Sequence, residues 1–413
     1  MAESAFYLLV LFENCLEGLI PQFRYADEIL LFVLAAGAVF KAAARRGSLE
    51  GWNLFDWLLA GVFLLFLFVG TISTLLHSPG VPFSAVSKDV LLCGKFFAAF
   101  LCGKLLFLTA DRDRMFKRLR TVTHVTVTVI FVCGVLSLFV DLGMGDQIRY
   151  GLRSYQFLYT HYTFLVYAEV LMTAVLCTGR ARKEGWYIAM AVGTMLLTLR
   201  TKAVIFCLVF LLFLILEKYG HRIKIRYYVL AAAAGTAAAW GKIAEYLSWG
   251  FTYNMRNGLW MAGLKLAEAY FPLGSGFGSF GSNLSYEYSP QIYYDLGLGS
   301  FQGFEHGTPV LSDVFWPYIY GEFGVLGLLL FLFMMILLFK SLSSELDPDK
   351  ARMRGANCIF AYLLVASTAE AVFTNSSGVF SAAILGICFR RTRAVQKEGT
   401  AAAVPRQAFC IRF

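Results

Sequence analysis

Long apolar runs separated by short polar segments dominate this sequence. Each run approaches the roughly 20 apolar residues that a helix needs to cross a bilayer. The runs are continuous, and they lack the alternation of apolar and polar positions that is typical of a membrane β-barrel. The pattern therefore predicts an all-α, polytopic membrane bundle of about twelve transmembrane helices, which begin near Phe6, Glu28, Leu54, Val90, Thr121, Leu158, Gly185, Ala203, Tyr227, Phe315, Gly355 and Gly378.

Basic residues concentrate in every second connecting segment. Counted from a cytoplasmic N-terminus, the inside segments are residues 41–46, 112–120, 180–183, 218–226, 340–354 and the tail from 390, all rich in Lys or Arg. This asymmetry follows the positive-inside rule, so both chain ends are expected inside. The expected organisation is nine spans in residues 1–244, a large outer loop or cap in 245–312, further spans in 313–390 and a tail in 391–413.

The composition agrees with a membrane protein. Hydrophobic residues make up 58% of the chain and charged residues 15%, and the mean hydropathy is +0.64. Soluble domains carry about 25% charged residues. The net charge of +9 is concentrated in the inside segments, so it does not indicate a nucleic-acid partner. The nine cysteines are scattered in apolar runs and are interpreted as small core residues.

The large outer segment, residues 245–312, is expected to be folded. It holds aromatic residues throughout, which disordered segments lack. Residues 255–270 have the apolar spacing of an amphipathic helix, and residues 274–281 form a glycine-dense turn. This turn could bring backbone amides close to an anion or a sugar, or it could be a plain loop.

Five basic residues in the outer segments are candidates for anion binding. Arg200 and Lys202 lie in a short turn between two apolar runs. Inserting a cation at membrane depth costs roughly 2.5–3.5 kcal/mol, so such a residue usually faces a protein cavity. The alternative is that both snorkel to the interface. Arg256 opens the amphipathic helix and could equally be a surface arginine. With Arg149 and Arg153 they could form a ring that binds a phosphorylated species, because guanidinium forks match phosphate oxygens.

Three residues near the next predicted span are candidates for acid–base chemistry. Asp313 precedes the span and could be a helix N-cap, a general base or both. His306 is the competing base, since histidine titrates near neutral pH. Glu322 is either a structural hydrogen-bonding group or a catalytic group. On an unbroken helix it would lie on the face opposite Asp313. No second histidine or cysteine lies nearby, so no metal site is expected.

Several short stretches, taken in order, resemble the O-antigen polymerase and ligase superfamily (Wzy-like) of bacterial inner-membrane proteins. They are Leu-Arg-Thr-Lys at 199–202, Arg-Asn-Gly-Leu-Trp at 256–260, Leu-Gly-Ser-Gly-Phe-Gly-Ser-Phe at 273–280, Ser-Asp-Val-Phe-Trp at 312–316 and Glu-Phe-Gly-Val-Leu-Gly at 322–327. The resemblance implies a GT-C-like helical bundle with a periplasmic cap. It also implies transfer of a glycan from an undecaprenyl-diphosphate carrier to an acceptor glycan, without a cofactor or a metal.

The resemblance also implies roles for individual residues. Arg200 and Arg256 fall where family arginines engage the diphosphate. Lys202, Arg153 and Arg149 are further candidates for diphosphate binding by their charge and position. Catalytic candidates are Asp313, His306 and Glu322. Where ligases have a His-Asn pair, this chain has Asp313 followed by Val314. This departure favours a polymerase of O-antigen, capsule or exopolysaccharide over a lipid A-core ligase.

Two alternative functions stay open. The first is the ligase itself. The second is a lipid-linked glycan flippase or another secondary transporter, which should show repeat symmetry and polar sites at mid-membrane. Its candidate residues, Lys95, Lys104, Glu169 and Glu370, are scattered along the sequence. For a polymerase, the expected partners are the lipid-linked glycan, the acceptor glycan, a chain-length regulator and a flippase.

Overall fold

The structure is a computed structural model. It describes residues 2–44, 52–78, 80–106, 111–219, 224, 226–227, 229–230, 233, 255–288, 291–300, 311, 314–347 and 349–389. About 78% of this part of the chain is helical, with almost no strand. The prediction of an all-α protein is therefore confirmed.

The described helices follow one another with mostly short connections. They are α1 (Ala2–Leu19), α2 (Ala26–Ala44), α3 (Leu54–His77), α4 (Phe83–Leu105), α5 (Arg112–Leu136), α6 (Tyr162–Cys177), α7 (Ala181–Leu197), α8 (Thr201–Lys218), α9 (Met255–Ala269), α10 (Asn283–Tyr288), α11 (Gln291–Asp295), α12 (Trp316–Leu346), α13 (Lys350–Ala366) and α14 (Ser376–Ile387). Short 3₁₀ helices cover Pro21–Tyr25 and Leu298–Ser300. Between α5 and α6, strands β1 (Ile148–Arg149) and β2 (Leu152–Arg153) pair antiparallel, with Ile148 opposite Arg153.

Three of these helices, α3, α5 and α12, are long and apolar enough to cross a membrane. They indicate that the chain is a membrane protein. Most of the other predicted spans also overlap a described helix. The span predicted near Tyr227 falls largely outside the described residues. The number of membrane crossings stays a prediction.

Basic residues meet acidic partners at the end of the bundle where α5 and α13 begin and α8 ends. Arg352 contacts the Asp113 carboxylate at 2.6 Å, and Arg354 contacts Glu217 at 2.8 Å. These ion pairs join segments that the charge pattern places on the same side of the membrane. The starts of α6, α8 and α12 lie at the opposite end.

Helix α12 is broken at Gly324, and this break creates a docking place for the glycine-dense turn. Gly324 has φ 62° and ψ −163°, a left-handed conformation that favours glycine. A side chain there would place its Cβ 2.3 Å from the carbonyl oxygen of Pro272. The backbone N–H of Gly276 donates to the Glu322 carbonyl at 2.7 Å, and the backbone N–H of Ser275 donates to the Gly321 carbonyl at 3.0 Å. The break and the turn therefore satisfy each other's backbone groups.

The outer segment has a small core of its own. The predicted amphipathic helix is confirmed as α9, which packs against α12. Its apolar face joins residues that follow it in the chain, and the buried cluster comprises Leu259, Ala262, Leu266, Phe280, Tyr293, Leu298, Leu311 and Val314. The described part of residues 245–312 is thus a folded layer on the bundle, as its aromatic content predicts.

Candidate functional site

A cavity of about 800 Å³ lies at the end of the bundle where α6, α8 and α12 begin. Its wall includes residues 161, 163 and 164 at the start of α6, 200–202 at the start of α8, 281–284 at the end of the glycine-dense turn, and 369–371, 374 and 375 between α13 and α14. These segments are far apart in sequence. Four basic residues line the cavity, namely Arg149, Arg200, Lys202 and Arg256. The structure therefore brings together four of the five predicted anion-binding residues.

Arg200 occupies the N-cap position of α8. Its guanidinium stacks over the Tyr162 ring, 4.1 Å from the ring centre, and its Nη2 donates to the Gln147 side chain at 3.0 Å. Its Nε is buried and has no hydrogen-bond partner in the described part of the chain. Burial, and next the charge of Arg149, lower the pKa of Arg200, which still stays a cation. Arg200 is thus held in place by Tyr162 and Gln147, and its Nε–H is available to donate to a ligand.

The loop beside Arg200 is also fixed by hydrogen bonds. The Tyr162 hydroxyl donates to the Asp146 carboxylate at 2.5 Å, which lowers the pKa of Asp146 below its usual range. The same phenol oxygen accepts the backbone N–H groups of Asp146 and Gln147. The ring over which Arg200 stacks is therefore anchored to the loop that carries Arg149.

Lys202 is buried on the cavity wall in an ion pair. Its Nζ donates to Glu370 Oε2 at 2.7 Å, and only 8% of its side chain is exposed. Arg200 and Arg256 act electrostatically on the same amine. Among the described residues of the wall, four are cations and Glu370 is the one carboxylate, so the net charge of the wall is +3. Such a wall favours an anionic ligand.

Arg153 is not brought into the cavity. It lies on β2 and forms an ion pair with Asp141. This contact holds the pKa of Asp141 below its usual range. Among the predicted anion-binding residues, Arg153 is therefore the one that the structure separates from the others.

Of the three catalytic candidates, the structure describes Glu322. Asp313 and His306 both lie outside the described residues, so their roles stay predictions. Glu322 is fully buried on α12 and is not part of the cavity wall. Its Oε1 accepts the backbone N–H groups of Ser279 at 2.9 Å and of Phe280 at 2.8 Å. This geometry supports the structural interpretation of Glu322.

A second buried carboxyl group, that of Asp89 on α4, completes this arrangement. Its Oδ2 accepts the N–H of Gly278 at 2.9 Å, and its Oδ1 accepts the Tyr318 hydroxyl at 3.1 Å. The N–H of Phe277 donates to the Thr74 hydroxyl at 2.7 Å. The amides of Gly278, Ser279 and Phe280 thus donate to carboxyl groups of the protein itself. The interpretation that this turn binds an anion or a sugar stays a prediction.

Several polar residues of the wall were not selected as site residues from the sequence. His161 is the N-cap of α6, and Asn375 is the N-cap of α14, with its side-chain oxygen accepting the Gly378 N–H at 3.0 Å. Ser282 and Asn283 line the wall next to the turn. The only sequence signal for His161 and Asn375 is a capping residue before an apolar run, which many helices without a site share.

The residues considered for a transporter do not form one site. Lys95 pairs with Asp27 at 2.5 Å, and Lys104 pairs with Asp56 at 2.7 Å. Glu169 is fully buried on α6. Glu370 alone among the four candidates lines the cavity. Within the described ranges, no group of three His, Cys, Asp or Glu side chains could hold a metal ion.

No model of a protein family matches this chain, and no curated protein is significantly similar to it.

Proposed function

We propose that this protein is a membrane glycosyltransferase, a bacterial polysaccharide polymerase. It would transfer a glycan from an undecaprenyl-diphosphate carrier to an acceptor glycan in the synthesis of O-antigen, capsule or exopolysaccharide. The observation that carries the proposal is the convergence of Arg149, Arg200, Lys202 and Arg256 on one cavity at an end of the helical bundle. A lipid diphosphate presents its charge at that depth, next to the bilayer.

The cavity suits the ligand in size and charge. Its volume of about 800 Å³ lies within the roughly 300–1,000 Å³ of small-molecule sites, so a diphosphate and an adjoining sugar can enter together. Arginine forks bind phosphate oxygens through paired hydrogen bonds. Arg200 is already fixed by Tyr162 and Gln147, and a fixed donor needs no reorganisation when the ligand arrives.

The proposed reaction is a displacement at the anomeric carbon. An acceptor hydroxyl forms the new carbon–oxygen bond while the bond to the diphosphate oxygen breaks, and the diphosphate leaves with the electron pair. Preorganised cations stabilise the negative charge that develops on this leaving group. The proton of the hydroxyl goes to a base, for which the sequence predicts Asp313 or His306. Attack from the face opposite the diphosphate inverts the anomeric carbon.

The proposal includes a topology. The chain would form about twelve transmembrane helices in a GT-C-like bundle in the bacterial inner membrane. Both termini would be cytoplasmic and residues 245–312 would be periplasmic. The ion pairs of Arg352 and Arg354 lie at the end that the charge pattern places inside, and the cavity lies at the other end. A chain-length regulator and a flippase are the proposed partners.

Cysteine labelling tests this topology. Glu287 and Lys183 are exposed at the two expected sides, whereas the native cysteines of the described ranges are buried or half-buried. In spheroplasts, a membrane-impermeant thiol reagent should label Glu287→Cys at once and Lys183→Cys only after lysis. The reverse pattern would place the cavity on the cytoplasmic side and contradict the proposal.

The two alternatives predict different products. A ligase would attach glycan once to lipid A-core, because its acceptor is not itself extended. A transporter would move the lipid-linked glycan without forming a bond. The residues considered for a transporter do not share one site, since Lys95 pairs with Asp27 and Lys104 pairs with Asp56.

Reconstitution tests the proposed reaction. The purified protein in liposomes, given a lipid-diphosphate repeat unit, should produce a ladder of glycans that differ by one repeat. A single adduct that appears only when lipid A-core is supplied would identify a ligase. Transbilayer movement of the substrate without any new glycan would identify a transporter, and either result would replace the proposal.

A further inference from the structure

Among its described residues, the cavity wall contains one counter-charge, Glu370, whose role the proposed reaction does not explain. Glu370 lies in the segment between α13 and α14, and its carboxylate contacts the Lys202 amine at 2.7 Å. The Tyr362 hydroxyl of α13 donates to the other carboxylate oxygen at 3.3 Å. A carboxylate repels a diphosphate, so its presence in an anion-binding cavity needs a reason.

The surroundings of Lys202 supply that reason. The side chain is 8% exposed, and burial disfavours an ammonium group. Arg200 at the start of α8 and Arg256 on α9 act on the amine, and like charges disfavour it further. Among the described residues, the other titratable side chains of this wall are His161 at the start of α6, Arg149 on β1 and Tyr318 on α12, whose hydroxyl donates to Asp89. None of them supplies a negative charge, so Glu370 is the described group that favours the charged amine.

We infer that Glu370 is a positioning residue that keeps Lys202 charged and fixed on the cavity wall, so that the lysine is a constant partner for a diphosphate. An ammonium group has three donors, so Lys202 can keep its bond to Glu370 and still donate to a phosphate oxygen. The identity of the ligand as a diphosphate rests on the proposed function, whereas the control of the Lys202 charge by Glu370 does not.

The charge of Lys202 can be measured without any ligand. Only the neutral amine reacts with acetic anhydride, so trace acetylation of the detergent-solubilised protein at a series of pH values, read by mass spectrometry, gives a midpoint for Lys202. In Glu370→Gln this midpoint should fall by about one pH unit or more, because the carboxylate charge is lost while burial and both arginines remain. Glu370→Asp keeps a carboxylate on a shorter side chain and should give an intermediate midpoint.

Glu217→Gln is the matched control. Glu217 forms an ion pair with Arg354 near the other end of α8, with similar burial. This variant should leave the Lys202 midpoint unchanged. An unchanged midpoint in both Glu370 variants, or an equal shift in the Glu217 variant, would overturn the inference.

Binding of farnesyl diphosphate between pH 7.5 and 9.5 tests the consequence for the ligand. The wild-type affinity should fall less than that of Glu370→Gln across this range, because the Glu370 carboxylate favours the charged form of Lys202. Glu370→Gln should bind at least as tightly as wild type at pH 7.5, since a repelling carboxylate is gone. Its affinity should then fall about 10- to 100-fold as rising pH removes the proton from Lys202, the value of one charge-assisted hydrogen bond.

Adding Lys202→Arg to Glu370→Gln should give a flat profile, because a guanidinium keeps its charge across this range. Equal weakening of Glu370→Gln at every pH would indicate a merely structural role and would contradict the inference. A shifted Lys202 midpoint without farnesyl diphosphate binding by the wild-type protein would support the role of Glu370 and count against the proposed function instead.

Discussion

Replacing Arg200 or Arg256 with alanine should abolish polymer formation while membrane insertion and abundance stay at the wild-type level. Each arginine lines the cavity, and removal of one preorganised donor lowers a rate by about 10²–10³-fold. Each added repeat requires this step, so such a loss per step leaves no visible ladder. The measurement is the glycan ladder made by the reconstituted variants, normalised to folded protein by size-exclusion chromatography.

Two further sets of variants make this result specific. Arg200→Lys and Arg256→Lys should recover activity only in part, because an ammonium group cannot form the paired hydrogen bonds of a guanidinium fork. Arg153→Ala should remain active, since Arg153 pairs with Asp141 outside the cavity. Full-length polymer from both alanine variants would refute the diphosphate site. Loss of activity in Arg153→Ala alone would move the site to the β1–β2 loop.

Replacing Glu322 with leucine should unfold or severely destabilise the protein. The backbone N–H groups of Ser279 and Phe280 would lose their shared acceptor in a fully buried place. Each unsatisfied donor costs about 1–3 kcal/mol, and the turn that carries them is docked on the break in α12. The expected result is a large fall in the yield of monodisperse protein and in its melting temperature in detergent.

Glu322→Gln separates this structural role from the predicted catalytic one. The glutamine oxygen can accept the same two N–H groups, and its NH₂ group can donate to Asp89, whose carboxyl interacts with Glu322. This variant should fold and retain most of its polymerase activity. A folded Glu322→Gln protein without activity would instead make Glu322 a catalytic residue and contradict the structural interpretation.

Much of the local structure could be predicted from the sequence. An apolar run of sufficient length forms a helix wherever water is excluded, because only internal hydrogen bonds satisfy the backbone there. This local requirement explains why the predicted runs and the described helices coincide, and why the periodicity of residues 255–270 predicts α9. The number of crossings could not be confirmed in the same way, since length and apolarity identify three spans among the described helices, namely α3, α5 and α12.

The candidate cations could also be selected from the sequence, for a physical reason. A charge near the bilayer is expensive, so Arg200 and Lys202 stand out without any structure. That they line one cavity could not be derived from the sequence, because it depends on how α6, α8, α9 and α12 pack. Arg153 illustrates this limit. By sequence it resembles Arg149, yet Asp141 holds it outside the cavity.

Only the tertiary structure decided which carboxyl groups serve which purpose. Gly278 donates to Asp89 across 189 positions, and Lys202 donates to Glu370 across 168. No local pattern predicts the partners of Asp89 or Glu370, because a buried carboxyl is stable only if distant parts of the chain supply its donors. The sequence by itself determined the helices, the basic residues and the glycine-dense turn. The packing decided that the turn binds carboxyl groups of the protein itself, and that the cations face a cavity.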